Sequence, residues 1–254
     1  MMSQYHIFIF FYSNYLFVLY KMKLLELFSG TKSVGKVAEN LGYEVISLDL
    51  KNADINCDIL DWDYTTYPVG YFDVIWASPP CNTFSRLRES NIGRNGYTKE
   101  SIQSDIENIG LPVLRKTEEI ITYFQPKYYF IENPQSGRMK EYITDKPYYD
   151  VDYCKYSDWG YRKRTRIWTN LKGFIPMLCK KDCVNMDGNR HKLNIGHHDF
   201  VKDGNTIISL STKELREKYK DHDRIAELKR SITLKQRYRI PPKLIEELFK
   251  YIDL

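Results

Sequence analysis

Residues 23–49 read KLLELFSGTKSVGKVAENLGYEVISLD, and this stretch decides the fold. Lys23–Phe28 is a short apolar run ending in a Ser-Gly pair, which is typical of a buried strand followed by a turn. Ser33–Leu41 has apolar residues at helical spacing, and Gly42 is suited to end the helix. Glu44–Leu48 is again rich in strand-forming residues. A strand, a helix and a second strand in this order predict a crossover unit with parallel strands.

The same alternation continues along the chain. Phe72–Ala77 is another buried strand, and Tyr128–Ile131 is the next one. A long helix is predicted over Ser104–Phe124, and the Gly-Leu-Pro sequence at residues 110–112 is able to break or restart it. We therefore predict an α/β fold, a Rossmann-like and mostly parallel sheet flanked by helices. Ligands of such sheets bind beyond the carboxyl ends of the strands, which is where the polar motifs of this chain fall.

Composition permits several classes of partner without choosing one. The 254 residues suffice for one medium domain with a small appendage, and the net charge of +5 is compatible with a nucleic-acid partner. The five cysteines have no regular spacing, which argues against a disulfide scaffold and for a reducing compartment.

The segment Tyr5–Tyr20 is apolar and almost uncharged. It is shorter than the roughly 20 residues needed to span a bilayer, and it lacks the flanks of a signal peptide. We interpret residues 1–21 as an apolar extension that is not native to the mature protein, with Met22 as the natural start. A membrane or surface-binding role is the alternative.

Two prolines stiffen the loop that follows the strand Phe72–Ala77, and Cys81 comes directly after them. Arg86 and Arg88 are close in sequence, and nearby cations favour the thiolate, which is the nucleophilic form. The sequence therefore predicts a reactive Cys81. The alternative is an inert buried cysteine.

Three further motifs lie at predicted strand ends. Gly30 permits close approach of a ligand, and Asp49 and Asp58 are suited to bind ribose hydroxyls and an adenine amine; a turn glycine with surface acids is the alternative. Glu132 can donate a proton to a ring nitrogen, unless it is incidental to an Asn-Pro turn. The alternating arginines at 162, 164 and 166 share one side of a strand-like segment and can hold phosphate or a base carbonyl; a solvated basic face is the alternative.

These four motifs, in this order, resemble the C5-cytosine methyltransferase family, over roughly residues 22–170 and more faintly 231–254. The Pro-Pro-Cys and Glu-Asn motifs carry most of the specificity. The resemblance implies S-adenosylmethionine as cofactor, bound by Phe28, Ser29, Gly30, Asp49, Asp58 and Pro79. It implies Cys81 as nucleophile, Glu132 as acid, and Arg164 and Arg166 as the arginine pair, with Arg166 contacting the base. Residues 22–170 plus 231–254 would form the catalytic domain, and 171–230 a small irregular target-recognition insert.

The implied reaction is transfer of a methyl group to carbon 5 of a cytosine that has left the stack of double-stranded DNA. We expect a monomer without a membrane partner, located inside a cell (cytoplasm, nucleoid or virus-infected host), where such enzymes serve restriction-modification. The sequence departs from the family before its double proline, where residues 237–240 read RYRI in place of a Gly-Asn-Ala-Val run.

Three other functions stay open on the sequence alone. An exocyclic-amino methyltransferase fits the Ser-Pro-Pro opening, although Cys81 then stands where an aromatic residue would stack on the base. An RNA cytosine-5 methyltransferase would use the same chemistry. A catalytically inactive nucleic-acid-binding protein would keep the fold and tolerate loss of Cys81.

The insert contains Cys and His spacings that fit zinc-ligand pairs. The candidates are Cys179, Cys183, His191 and His197. Since the separation between the pairs is tighter than in a zinc finger, a polar loop with incidental thiols is the favoured interpretation.

Overall fold

The structure, a computed structural model, describes residues 9–12, 15–18, 20–94, 96–195, 198–203, 206–211, 214, 217–218 and 232–252. Its centre is a seven-stranded sheet. The strands are β3 (Lys23–Leu27), β4 (Glu44–Asp49), β5 (Ile55–Asn56), β6 (Val74–Ala77), β7 (Tyr128–Pro134), β8 (Tyr148–Asp152) and β9 (Arg164–Thr169). Their order is β5-β4-β3-β6-β7-β9-β8, and only the pairs formed by β9 are antiparallel. The predicted α/β class with a mostly parallel sheet is confirmed.

Helices cover both faces of this sheet. Among the described residues, the α-helices with defined bounds are α1 (Ser33–Asn40), α2 (Lys99–Asp105), α3 (Leu111–Phe124), α4 (Leu234–Tyr238) and α5 (Pro242–Phe249). Short 3-10 turns occupy Tyr64–Thr66, Arg86–Asn91, Met139–Glu141 and Tyr153–Lys155. In one core, α1 and α5 pack on the same face of the sheet. Their buried residues include Val34, Val37, Leu244 and Leu248. The other core contains α3 and the opposite face of the sheet.

The helix predicted over Ser104–Phe124 is interrupted by a π-helical turn at Ile106–Gly110. Two features account for it. Pro112 has no N–H to donate to the preceding turn. A Cβ on Gly110 would lie 2.6 Å from Thr83 Oγ1, so glycine permits the helix to approach the loop that carries Cys81. The turn therefore brings α3 against the catalytic edge of the sheet.

The segments outside the main sheet form small hairpins. The described part of the N-terminal extension pairs β1 (Ile9–Tyr12) with β2 (Tyr15–Val18). The insert, predicted to be irregular over Lys172–Asn205, contains β10 (Met186–Asp187), β11 (Arg190–His191), β12 (His198–Asp203) and β13 (Thr206–Ser211). The predicted helix Thr212–Arg230 falls almost entirely outside the described residues. Within those residues, none of the helices is long and apolar enough to cross a membrane.

Candidate active site

One cavity of about 510 Å³ opens at the carboxyl ends of β3, β4, β6 and β7. Its size falls in the usual range for small-molecule sites. The structure brings most of the predicted site residues together around it. They are Phe28, Ser29, Gly30, Asp49, Asp58, Pro79, Cys81 and Glu132.

The turn after β3 forms one end of the cavity. Phe28 and Gly30 both have positive φ, of 59° and 47°, so the backbone reverses sharply here, which a glycine accepts at no steric cost. The Gly30 N–H donates to Asp49 Oδ2 at 2.8 Å, and this bond fixes the Asp49 carboxylate at the cavity wall. Ser29 Oγ is buried and has no hydrogen-bond partner among the described residues. This end therefore offers polar groups to a ligand.

Glu26 also lines the cavity, and the sequence reasoning missed it. Its carboxyl group accepts from the backbone N–H groups of Val34 at 3.2 Å and Gly35 at 3.0 Å, at the start of α1. Burial raises its pKa to about 7, against the lowering effect of these two bonds. An acid inside an apolar strand, seven residues before a helix start, is the signal that could have identified it.

The loop after β6 forms another part of the cavity wall, through residues 78–82. Asn133 at the end of β7 donates from Nδ2 to the carbonyl of Pro79 at 2.9 Å, and Asn133 itself is buried. This bond ties the proline-stiffened loop to the strand that carries Glu132. Cys81 and Glu132 are thereby held on two adjoining strand ends, as the sequence predicted.

Glu132 is nearly enclosed, with 5% of its surface exposed. Its Oε1 accepts a hydrogen bond from the Tyr153 hydroxyl at 2.8 Å and another from Lys163 Nζ at 3.2 Å. Neither bond uses Oε2. The carboxyl group is therefore oriented through Oε1, and Oε2 can form a hydrogen bond with a ligand.

The electrostatic setting of Cys81 corrects one sequence interpretation. Arg86 and Arg88 are not the cations of the thiol, because Arg86 pairs with Glu141 at 2.8 Å and Arg88 pairs with Asp105. Burial raises the pKa of Cys81, and Lys163 is the charge that opposes this rise. Lys163 is a second site residue that the sequence reasoning missed.

Arg164 and Arg166 are not among the residues that line the cavity. Arg164 and Arg162 both bind the fully buried carboxylate of Asp152, at 2.7 Å and 2.9 Å. Arg166 makes a two-point contact with Asp150, at 2.8 Å and 2.9 Å, and stacks on the ring of Tyr148. The arginines thus share one side of the segment, as expected, and that side faces the aspartates of β8. A base contact by either arginine stays a prediction.

The C-terminal segment returns to the cavity from a distant part of the sequence. Tyr238 and Ile240 line its wall, and the Ile240 N–H donates to Ser33 Oγ at 3.2 Å. The unusual RYRI sequence therefore contributes two side chains to the cavity wall.

A second cluster of chemically active side chains lies apart from the cavity. Cys154, Cys179, Cys183 and His191 place their Sγ and imidazole nitrogen atoms within 4.8 Å of one another. The cluster includes three of the four predicted candidates and adds Cys154. The fourth candidate, His197, lies outside the described residues.

Comparison with known proteins finds a relative by sequence and methyltransferases by structure. The chain is 48% identical over 231 residues to a Frog virus 3 (isolate Goorha) protein named probable DNA (cytosine-5)-methyltransferase, which covers 89% of this chain and 98% of that protein. Among solved structures, the Entamoeba histolytica methyltransferase EhMeth matches with a TM-score of 0.48 and 13% identity, covering 91% of this chain and 98% of that one. A DNMT2 variant from Spodoptera frugiperda matches with a TM-score of 0.37 and 17% identity, covering 60% and 51%. No family model matches the chain.

Proposed function

The chain belongs to the DNA (cytosine-5)-methyltransferase family, and we propose that it methylates carbon 5 of cytosine in double-stranded DNA through a covalent bond to Cys81. The observation that carries this proposal is the shared cavity. The thiol of Cys81, the carboxyl group of Glu132 and the ammonium of Lys163 line the same cavity as the Gly30 turn and Asp49.

The recess around Gly30 fits S-adenosylmethionine. The Asp49 carboxylate, fixed by the Gly30 N–H, is placed to accept from ribose hydroxyls, and Asp58 is the candidate for the adenine amine. Ser29 Oγ, buried without a described partner, has hydrogen-bonding capacity to spare for the ligand. When bound, S-adenosylmethionine supplies an electrophilic methyl group on its sulfonium.

The target base must leave the DNA stack to enter a cavity of this kind. The Cys81 thiol then transfers its proton to a water molecule, and its sulfur forms a bond to carbon 6 of the ring. Because burial keeps the pKa of Cys81 high, the ammonium of Lys163 is the group that stabilises the thiolate at the moment of attack.

Electrons from the broken ring double bond move toward N3 as the sulfur adds. Glu132 is oriented through Oε1 by Tyr153 and Lys163, so its other oxygen can deliver a proton to N3 and neutralise that charge. Carbon 5 becomes nucleophilic and takes the methyl group. Transfer of the carbon 5 proton to water, return of the N3 proton to Glu132 and release of the Cys81 sulfur as thiolate then restore the aromatic ring.

A mechanism-based trap tests the proposal. The protein is incubated with S-adenosylmethionine and duplex DNA containing 5-fluorocytosine, whose carbon 5 carries no proton to remove after methylation. We expect a denaturation-resistant complex in which the base is attached at Cys81, identified by peptide mass spectrometry. Cys81→Ser and unfluorinated DNA serve as controls without a stable complex.

The absence of a complex from protein that binds S-adenosylmethionine would contradict the covalent mechanism. A complex formed only with single-stranded or duplex RNA carrying the same analogue would retain the chemistry and contradict the DNA substrate.

A further inference from the structure

We propose that Cys154, Cys179, Cys183 and His191 form a structural zinc site that fastens the insert to the catalytic sheet. The proposal concerns residues outside the active-site cavity and does not depend on the methylation chemistry. It assigns a function to three thiols that the reaction leaves unused.

The distances in the cluster are those that a tetrahedral zinc ion requires. His191 Nε2 lies 3.6 Å from Cys179 Sγ and 3.4 Å from Cys183 Sγ. With Zn–S bonds of about 2.3 Å and Zn–N bonds of about 2.0–2.1 Å, tetrahedral geometry places sulfur and nitrogen ligands roughly 3.6 Å apart. The ligand atoms are therefore already positioned around the volume of one ion.

The donor set and its burial indicate a closed structural site. Three sulfurs and one imidazole nitrogen fill the four positions of a Cys3His centre and leave none for a substrate. Cys154 and Cys179 are buried, with 2% and 6% of their surfaces exposed. Soft thiolate ligands in this number select zinc over the hard cations that prefer oxygen.

The surrounding backbone supports the ligands. The Lys181 N–H donates to Cys179 Sγ at 3.3 Å, from a residue with a positive φ of 68°. Such N–H donors stabilise the negative charge of a metal-bound thiolate. Asn185, which is also buried, holds the loop by donating to the carbonyl groups of Cys154 and Ser157.

The site joins two parts of the chain. Cys154 follows β8 of the central sheet, whereas the other three ligands belong to the insert. The Cys179 N–H donates at 2.8 Å to Asp152, the same carboxylate that binds Arg162 and Arg164. A zinc ion here would fix the insert relative to the basic segment, residues 162–166, which lies beside the active site.

The test is metal analysis of the full chain, purified throughout under reducing conditions without chelators. We expect elemental mass spectrometry to find one zinc ion per chain. Cobalt(II) substitution should give the intense visible absorption of tetrahedral thiolate coordination. Cys183→Ser and His191→Ala, chosen because both side chains are only partly buried, should weaken zinc binding by on the order of 100-fold or more. Cys57→Ser is the matched cysteine control and should keep the full zinc content.

Two results would overturn the proposal. One is wild-type protein that takes up neither zinc nor cobalt although it binds S-adenosylmethionine, which shows that it is folded. The other is equal zinc content in the wild-type protein and both ligand variants.

Discussion

Four of the five cysteines lie in two contrasting settings. Cys81 is partly exposed in a proline-stiffened loop at an open cavity, and the charges that act on it are Lys163 and Glu132. Cys154, Cys179 and Cys183 converge on one another and on His191. A thiol that must attack a substrate needs access and a single stabilising cation, whereas thiols that converge are arranged for a shared ion. The catalytic cavity and the Cys3His cluster can therefore be separated by mutation.

The largest effect is expected at Cys81. Cys81→Ser should reduce methyl transfer by about 10⁴-fold or more, the scale on which loss of an activated nucleophile acts. Binding of S-adenosylmethionine and the zinc content should not change. Radioactive methyl transfer and calorimetric titration measure the two properties. Residual activity within tenfold of the wild-type protein would mean that Cys81 is not the nucleophile.

Asp152 connects the cluster to the basic segment, so its removal should act on stability. Asp152→Ala leaves Arg162 and Arg164 without their buried partner, and the free energy of unfolding should fall by about 3 kcal/mol, since both arginines remain partly solvated. Denaturant titration measures this. Asp150→Ala removes the less buried aspartate, which pairs with Arg166 alone, so it is the matched control and should cause a smaller loss. Equal losses of unfolding free energy for the two variants would contradict the role of Asp152 as the link between the cluster and the basic segment.

Glu26 should make the stability of the cofactor-binding end depend on pH. The pKa of Glu26 is raised from 4.5 to about 7 in the folded chain. Its contribution to the free energy of unfolding is therefore fully present below pH 4.5. That contribution is lost as the pH rises to about 7, since the unfolded chain ionises first. The change amounts to about 3 kcal/mol.

Glu26→Gln is the variant that tests this. The difference in unfolding free energy between it and the wild-type protein should vary across that pH window and be constant above it. A difference that stays the same from pH 4.5 to pH 7 would show that Glu26 titrates normally.

The smallest effect is expected at Lys163. Lys163→Met should raise the pKa of Cys81 further and slow trapping of the 5-fluorocytosine DNA by about tenfold at neutral pH, equivalent to about 1.4 kcal/mol. The deficit should shrink as the pH rises, and Lys163→Arg should retain most of the rate. A deficit of equal size at every pH would assign Lys163 to positioning Glu132 instead of stabilising the thiolate.

Much of the active site follows from short-range patterns. The apolar runs that end at Gly30, Asp49, Pro79 and Glu132 are parallel strands, and parallel strands expose their carboxyl ends at one edge. Local sequence therefore determines that these side chains meet. The Cys81 environment could not be predicted in the same way. Arg86 and Arg88 are its neighbours in sequence, but their charges are turned toward Glu141 and Asp105.

The orientation of the basic segment could be predicted from the sequence only in part. Alternation predicts correctly that the arginines share one side, but it does not determine which side meets Glu132. That depends on the register of β9 against β7, which pairs Ile167 with Glu132 and so places Lys163, four residues earlier, on the carboxylate's side.

By itself the sequence determined the α/β fold, the strand-end motifs and the position of the Cys81 loop, because these depend on residues adjacent in the chain. Tertiary structure alone decided that Lys163 acts on Cys81, that Ile240 closes the cavity and that Cys154 joins the cysteines of the insert. Each of these contacts depends on strand register or on the packing of segments distant in sequence, which local patterns do not encode.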